Sequence, residues 1–191
     1  MIIAIEGGDQ AGKKTQSELL SDALNQMGKK TQLFSFPDYT TPLGKEIEAY
    51  LSGNRNYNHK TIHCLMSANR WECLDSLQKA EQKSIVIINR YTLSNIAYGM
   101  ANGLKKIWLE NLDDELPIPD ITIILDISPK KSFERKTMNR DSFEKDESFL
   151  NRVSQYYRDL AEKNNFQIIN ASNDPKIVHQ DIMKYVKQQV L

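Results

Sequence analysis

Two glycines and a lysine near the start of the chain have the spacing of a phosphate-binding loop. Gly7, Gly12 and Lys13 fit the pattern G-x-x-x-x-G-K, with an apolar run at residues 1–5 before them and a helical pattern after them. In such a loop backbone N–H groups point inward, the helix N-terminus adds partial positive charge, and the lysine reaches the outer phosphates. The alternative is a turn that merely joins a strand to a helix, and both flanks argue against it.

One position in this loop departs from the pattern. The residue after the lysine is normally Ser or Thr, whose hydroxyl contacts Mg²⁺. Here that residue is Lys14, and Thr15 follows one place late. Because an ammonium group only donates hydrogen bonds, Lys14 cannot be a metal ligand.

Arg90 is a second candidate for binding phosphate. It follows a continuous apolar run at residues 84–89, which predicts a strand buried on both faces. An arginine directly after such a strand would point into a ligand cleft and could hold phosphate with its forked donors. The alternative is an ordinary ion pair with a surface carboxylate.

Met66 and Arg70 could bind a planar base together. They lie four residues apart in a helix predicted at residues 59–79, so they share one face. A base could then lie on Met66 while Arg70 bonds to its edge. For Met66 taken alone, a position in the core is the better interpretation.

A basic cluster surrounds a charged segment without apolar periodicity, at about residues 139–148. As a lid, this segment would bring cations onto a transferring phosphate and exclude water. The alternative is a solvated basic face. The cluster contains Lys130, Lys131, Arg135, Lys136 and Arg140.

The elements that must position these residues alternate between strands and helices, which predicts an α/β fold. Right-handed crossovers then give a five-stranded parallel sheet with helices on both faces, and ligands gather at the carboxyl ends of the strands. The stretch before Glu115 is polar and receives no assignment. Strands are predicted at residues 1–5, 30–36, 84–89, 121–125 and 166–169. Further helices are predicted at 42–51, at 92–101, from 128, at 149–164 and from 175.

Length and composition predict one domain over residues 1–191 with no strong charge bias. Net charge is zero, which argues against nucleic acid as a partner. The apolar runs are too short to span a membrane, and a strand starting at Met1 leaves no room for a signal peptide. Cys64 and Cys73 do not share a helix face, so neither a disulfide nor a metal site is expected, and we expect a cytoplasmic protein.

Five segments together carry a resemblance to one family. They are residues 5–16, Phe36-Pro37 with Thr41 and Gly44, residues 67–72, residues 89–91 with Ser94 and Tyr98, and Leu-Pro-x-Pro-Asp at 116–120. This set resembles the thymidylate kinases, P-loop nucleoside monophosphate kinases, in the form found in eukaryotes and poxviruses. The resemblance implies a three-layer P-loop NTPase fold with a short lid at about 136–148. It also implies a homodimer that uses ATP and Mg²⁺ to convert dTMP to dTDP.

The resemblance also implies roles for individual residues. Arg90 would hold the dTMP phosphate, Arg70 the thymine edge and Asp9 the 3′-hydroxyl, while Tyr98 would crowd the 2′ position. Lys13 would hold the β- and γ-phosphates of ATP. The implied dTMP site comprises Asp9, Phe36, Met66, Arg70, Arg90, Ser94 and Tyr98. The implied ATP site comprises Gly7, Gly8, Asp9, Gln10, Ala11, Gly12, Lys13, Lys14 and Thr15, with Ser172 beside the adenine.

The family carries its catalytic cation either in the phosphate loop or in the lid. The loop position is the uncharged Gln10 here. The resemblance therefore implies that the catalytic cation comes from the lid, with Arg140 as the first choice and Arg135 or Lys136 as alternatives. Lys13 and Arg90 would act with it.

Four positions depart from the family pattern. Lys14 replaces the hydroxyl that contacts the metal, and Asn89 replaces an aspartate that helps hold the magnesium shell. Tyr39 stands in place of a second phosphate-binding arginine, and Met66 in place of a phenylalanine that stacks on thymine. Three hypotheses follow: an active dTMP kinase whose Mg²⁺ arrives on ATP, a kinase for another deoxynucleoside monophosphate such as dUMP, or a nucleotide-binding protein that has lost catalysis.

Overall fold

A five-stranded, all-parallel sheet forms the centre of the protein. The computed structural model describes residues 1–135 and 146–190. The strands are β1 (Ile2–Gly7), β2 (Thr31–Ser35), β3 (Ile85–Asn89), β4 (Ile121–Asp126) and β5 (Gln167–Asn170). Their order in the sheet is β2-β3-β1-β4-β5, so the first strand of the chain lies in the middle. This confirms the predicted sheet.

Both faces of the sheet are covered because successive side chains of a strand point to opposite sides. In β1, Ile3 and Ile5 belong to the hydrophobic core under the first and last helices, whereas Ile2 and Ala4 face the opposite core. All six residues of β1 are buried. The continuous apolar run at the start of the chain therefore marks a strand enclosed by two helical layers.

Nine helices are found in residues 1–135 and 146–190. They are α1 (Lys13–Gln26), α2 (Pro42–Leu51), α3 (His59–Trp71), α4 (Leu74–Glu81), α5 (Thr92–Ala101), α6 (Lys106–Leu112), α7 (Pro129–Arg135), α8 (Glu147–Asn164) and α9 (Pro175–Val190). Helices α1 and α9 pack on one face of the sheet, and α3, α5 and α8 contribute to the other side.

Two helix predictions differ from the structure. The single helix predicted at residues 59–79 is two helices, separated at Glu72 and Cys73. Helix α6 lies in the stretch that received no assignment. The last residues of the predicted lid, 146–148, are the N-cap and first turn of α8, where the Asp146 side chain accepts from the Ser148 N–H.

The close approach of β1 to β4 explains why the first loop residue is a glycine. A Cβ atom on Gly7 would lie 2.3 Å from the carbonyl oxygen of Leu125. Gly7 also has φ +137°, a conformation that L side chains rarely adopt. The chain therefore turns from β1 into the loop directly beside β4, at the carboxyl edge of the sheet.

Candidate active site

The loop between β1 and α1 has the backbone of a phosphate cradle. Gly12, the N-cap of α1, has φ +83°, and Gln10 has φ +60°. The Lys13 side chain is nearly buried, and its Nζ donates to the carbonyl oxygen of Gly8 at 2.6 Å. The lysine thus lies back across its own loop, where anion-binding N–H groups and the helix N-terminus converge.

Helix α7 contacts this loop from the β4 side. The Arg135 guanidinium donates to the carbonyl oxygens of Gln10 at 3.0 Å and Ala171 at 2.9 Å. Lys131 donates to the Ser172 carbonyl oxygen at 3.2 Å. Arg135 therefore spans the gap between the phosphate loop and the turn after β5, which holds Ser172. Arg140 and Lys136 lie outside the described residues.

Asp9, Arg90 and Tyr98 form one polar cluster beside the loop. The Asp9 carboxylate is ion-paired with Arg90 and accepts a hydrogen bond from the Tyr98 hydroxyl at 2.6 Å. The Arg90 guanidinium also lies 5.4 Å from the centre of the Tyr98 ring, a cation–π distance. Burial, followed by the negative charge of Asp9, raises the pKa of Tyr98 well above its usual value, so the phenol keeps its proton and donates it.

Arg90 occupies a backbone conformation that few non-glycine residues adopt. Its φ is +61°, directly after the buried strand β3. Such strain persists where surrounding contacts over-determine it, and it is concentrated at functional sites. The Arg90 N–H donates to the Ile5 carbonyl oxygen at 3.0 Å. The residues that follow are held by Glu6, a fully buried carboxylate that accepts from the Tyr91 N–H at 2.8 Å and from the Ser94 hydroxyl at 2.5 Å.

A cleft extends from this cluster toward helices α2 and α3. The cleft brings together every residue of the predicted dTMP site, and Tyr39 and Asn95 also line it. The cleft residues are Asp9, Phe36, Pro37, Tyr39, Leu51, Met66, Arg70, Arg90, Tyr91, Ser94, Asn95 and Tyr98.

Arg70 and Met66 both line the cleft, as their spacing predicts. The Arg70 guanidinium is only 4% exposed and is paired with Asp113, which follows α6. Met66 packs against the neighbouring core, as the core interpretation predicts, and it also lines the cleft, so its contact with a base stays a prediction.

The segment 67–72 connects α3 to the elements around it through side-chain hydrogen bonds. Ser67 donates to the Leu112 carbonyl oxygen at 2.8 Å, and Trp71 Nε1 donates to the same atom at 2.9 Å. The fully buried Asn69 accepts from the Asp38 N–H at 2.7 Å and donates to the Thr41 hydroxyl at 2.9 Å. The motif therefore joins α3 both to the end of α6 and to the loop after β2.

Around the phosphate loop, the described residues that the sequence singles out for a metal site are not arranged as Mg²⁺ ligands. Lys14 is exposed at the start of α1, and both carboxylate oxygens of Asp126 accept from Arg158, at 3.0 and 3.1 Å. Asn89 Nδ2 donates to the Ser35 hydroxyl at 2.8 Å, and its buried Oδ1 has no hydrogen-bond partner within the described ranges. Residues 1–135 and 146–190 contain no group of three His, Cys, Asp or Glu side chains that could hold a metal.

Three buried polar residues that support the cleft were missed as functional from the sequence. Glu6 and Asn69 stand inside recognised motifs, but their roles depend on contacts with distant segments. Asp113 lies in the stretch that received no assignment. A buried arginine at position 70 requires a carboxylate partner, and that requirement is the one signal that could have directed attention to Asp113.

Within the described part of the chain, no helix is long and apolar enough to cross a membrane. Cys64 and Cys73 are free thiols.

Comparison with known proteins agrees with this geometry. A family model described as thymidylate kinase matches residues 5–182. The chain is 37% identical over 190 residues to thymidylate kinase of Arabidopsis thaliana, covering 99% of this chain and 72% of that protein. It is 36% identical over 190 residues to the Schizosaccharomyces pombe enzyme, covering 97% of this chain and 90% of that protein.

Solved structures agree as well. Thymidylate kinase of Candida albicans superimposes with a TM-score of 0.87 at 29% identity, covering 98% of this chain and 91% of that one. The phosphate loop, the cleft and the full-length similarity therefore lead to one assignment. The chain belongs to the thymidylate kinase family, the ATP-using nucleoside monophosphate kinases that phosphorylate dTMP to dTDP.

Proposed function

We propose that dTMP binds along the cleft with its phosphate at Arg90 and its base between Met66 and Arg70. The observation that carries this proposal is that two arginines, Arg70 and Arg90, line one cleft, with the Asp9–Tyr98 pair beside Arg90. A planar guanidinium matches phosphate with two parallel donors, and a second one can donate to a base carbonyl. Asp9 accepts from the 3′-hydroxyl, and the Tyr98 ring crowds a 2′-hydroxyl.

ATP binds on the opposite side of the same loop. Lys13 leaves the Gly8 carbonyl to contact the β- and γ-phosphates, and the loop N–H groups cradle them. The adenine lies near Ser172, beside the guanidinium of Arg135. Phosphoryl transfer depends mainly on positioning and on neutralising phosphate charge, so Lys13, Arg90, Arg135 and Arg140 supply the cations.

Mg²⁺ enters as the MgATP complex, held by phosphates and water rather than by this chain. Lys14 cannot be a ligand, and Asn89 offers one neutral oxygen where a carboxylate would add charge. Mg²⁺ keeps several waters in most nucleotide sites, which makes this arrangement chemically sufficient.

Phosphorylation of a second pyrimidine substrate, dUMP, is a further candidate. The report of the Candida albicans thymidylate kinase structure ascribes broad substrate specificity to that enzyme. In this chain the base contacts the flexible thioether of Met66, which adapts to ring shape more readily than an aromatic ring does. We therefore expect dUMP to be accepted less well than dTMP but better than any purine.

Measuring ADP release with a panel of monophosphates tests the proposal. The panel contains dTMP, dUMP, dCMP, AMP and the ribose counterpart of dTMP. We expect the largest kcat/KM with dTMP and little turnover with the ribose compound. Equal rates with AMP and dTMP would contradict the proposed substrate. No turnover with any monophosphate would contradict the proposed activity and would identify a nucleotide-binding protein without catalysis.

The assembly and location of the enzyme are also proposals. One sheet takes strands from residues 2 to 170, which supports a single domain over residues 1–191. A homodimer through α3 is supported by the half-buried Leu65 on that helix. The two free cysteines fit a cytoplasmic location. Light scattering after gel filtration of the purified chain tests the dimer, because a monomeric mass would exclude it.

A further inference from the structure

The guanidinium of Arg70 is held by three hydrogen bonds to one carboxylate. Nε donates to Asp113 Oδ1 at 3.2 Å, and Nη2 donates to Oδ1 at 2.9 Å and to Oδ2 at 2.7 Å. The two side chains are 4% and 5% exposed. The third nitrogen, Nη1, forms none of these bonds with Asp113, and Arg70 lines the cleft.

Asp113 is itself fixed in place. Its Oδ1 also accepts from the Ser67 hydroxyl at 2.7 Å. The preceding residue, Leu112, accepts from Ser67 and from Trp71 through its carbonyl oxygen. The carboxylate therefore cannot turn away from α3 without breaking several buried hydrogen bonds, each costly to leave unmade.

We propose that Asp113 is a positioning residue that selects the base by fixing which edge of Arg70 faces the cleft. The proposal rests on the dTMP site described above. With Nε and Nη2 occupied by Asp113, the N–H groups of Nη1 point to the base. A guanidinium only donates hydrogen bonds, so the base must present an acceptor there.

This arrangement favours pyrimidines with a carbonyl at position 4. Thymine and uracil present an oxygen to Nη1, whereas cytosine presents an amino group, so donor would face donor. A site with a fixed donor discriminates strongly, because the wrong base leaves buried polar groups unpaired. Without Asp113, the guanidinium can rotate, and the preference for a carbonyl weakens.

The variant Asp113→Asn tests this inference, with Asp114→Asn as its matched control. Asp114 is the exposed neighbour, so the control makes the same charge change one residue along the chain. We expect Asp113→Asn to raise KM for dTMP about tenfold, with KM for ATP unchanged. The ratio of kcat/KM for dTMP over dCMP should fall as well, while Asp114→Asn should behave as wild type.

A double-mutant cycle with Arg70→Ala distinguishes positioning from a general structural effect. If Asp113 acts through Arg70, Asp113→Asn adds nothing to KM for dTMP once Arg70 is removed. If the two changes are independent in KM, or if the single variant folds and keeps wild-type KM and base preference, the inference is wrong. Circular dichroism verifies that each variant is folded.

A second variant keeps the inference testable if the unpaired Arg70 charge prevents Asp113→Asn from folding. Asp113→Glu retains the negative charge but moves the carboxylate by one methylene, so the guanidinium must shift. We expect a folded enzyme with raised KM for dTMP and weaker rejection of dCMP. A wild-type profile in Asp113→Glu would overturn the inference. A wild-type enzyme without activity on dTMP would instead contradict the proposed function.

Discussion

The carboxylate of Asp9 is ion-paired with the guanidinium of Arg90. The two residues are 81 positions apart in the chain, one in the loop after β1 and one directly after β3. The pair joins the loop proposed to bind ATP to the residue proposed to hold the dTMP phosphate. The two proposed substrate sites therefore share one ion pair.

Replacing Arg90 with alanine should weaken dTMP binding far more than ATP binding. A charge-assisted hydrogen bond contributes about 1.5–3 kcal/mol, so we expect a loss of about ten- to a hundredfold in dTMP affinity. Calorimetric titration with each nucleotide measures both constants. Arg55→Ala is the control, since Arg55 is exposed, pairs with Glu46 and does not line the cleft. An unchanged dTMP constant in Arg90→Ala would show that the phosphate binds elsewhere.

The unusual residues Lys14 and Asn89 should raise the magnesium requirement together. Both residues are proposed to affect the same Mg²⁺ ion. Lys14→Thr combined with Asn89→Asp should therefore lower the Mg²⁺ concentration needed for activity by more than the sum of the two single changes. Activity is measured against Mg²⁺ at fixed ATP in the wild type and the three variants.

A binding measurement separates this effect from catalysis. We expect Mg²⁺ to change ATP affinity little in the wild type and to strengthen it in the double variant. Additive single effects would show that the two positions are unrelated. A wild-type enzyme whose activity is already saturated at low Mg²⁺ would also show that the two positions are unrelated.

His63 should make stability fall as the pH is lowered. Burial lowers the pKa of His63 from 6.5 to about 4, and the side chain is fully buried. Its Nδ1 lies 2.6 Å from Asn95 Oδ1, which only accepts, so Nδ1 carries the proton and Nε2 accepts from Asn102 at 3.2 Å. A second proton, on Nε2, would face the Asn102 amide, which is itself a donor.

The unfolded chain therefore binds a proton at higher pH than the folded chain does. The stabilisation is fully present above pH 6.5 and is lost as the pH falls from 6.5 to about 4, amounting to about 3 kcal/mol. Urea unfolding across this range measures the slope. His63→Gln should flatten it, whereas the exposed His59→Gln should not. An equally steep slope in His63→Gln would assign the effect to other groups.

Two substitutions of Tyr98 should have different effects on sugar discrimination and on dTMP affinity. Tyr98→Phe removes the donor to Asp9 but keeps the ring, so we expect weaker dTMP binding with the preference for deoxyribose retained. Tyr98→Ala removes both the donor and the ring, and the preference for deoxyribose over ribose should fall. Relative kcat/KM for dTMP and its ribose counterpart measures this. If Tyr98→Ala still rejects ribose, another residue excludes the 2′-hydroxyl.

The sheet and most of the cleft were predictable because their signals are local. The loop pattern of Gly7 and Lys13 and the buried run before Arg90 each follow from neighbouring residues. The break in the helix at 59–79 was not predictable, because Glu72 and Cys73 have nearly helical backbone angles. The apolar periodicity therefore continues through the break without interruption.

The partners of the site residues were not predictable for a different reason. Arg70 and Asp113 are 43 positions apart, and Asp113 follows a seven-residue helix that contains only one buried side chain, Leu109. A helix of only seven residues carries almost no periodic signal. Arg140, the first choice for the lid cation, lies outside the described residues, so its role stays a prediction.

Asn69 gives the cleft a mechanical property. Its amide holds the loop after β2 at two points, the Asp38 N–H and the Thr41 hydroxyl, while its own helix carries Met66 and Arg70. One buried amide thus ties the loop that bears Tyr39 to the helix that carries two of the proposed base-binding residues. Removing that amide should therefore loosen two sides of the cleft at once, although Asn69 itself is not among the residues that line it.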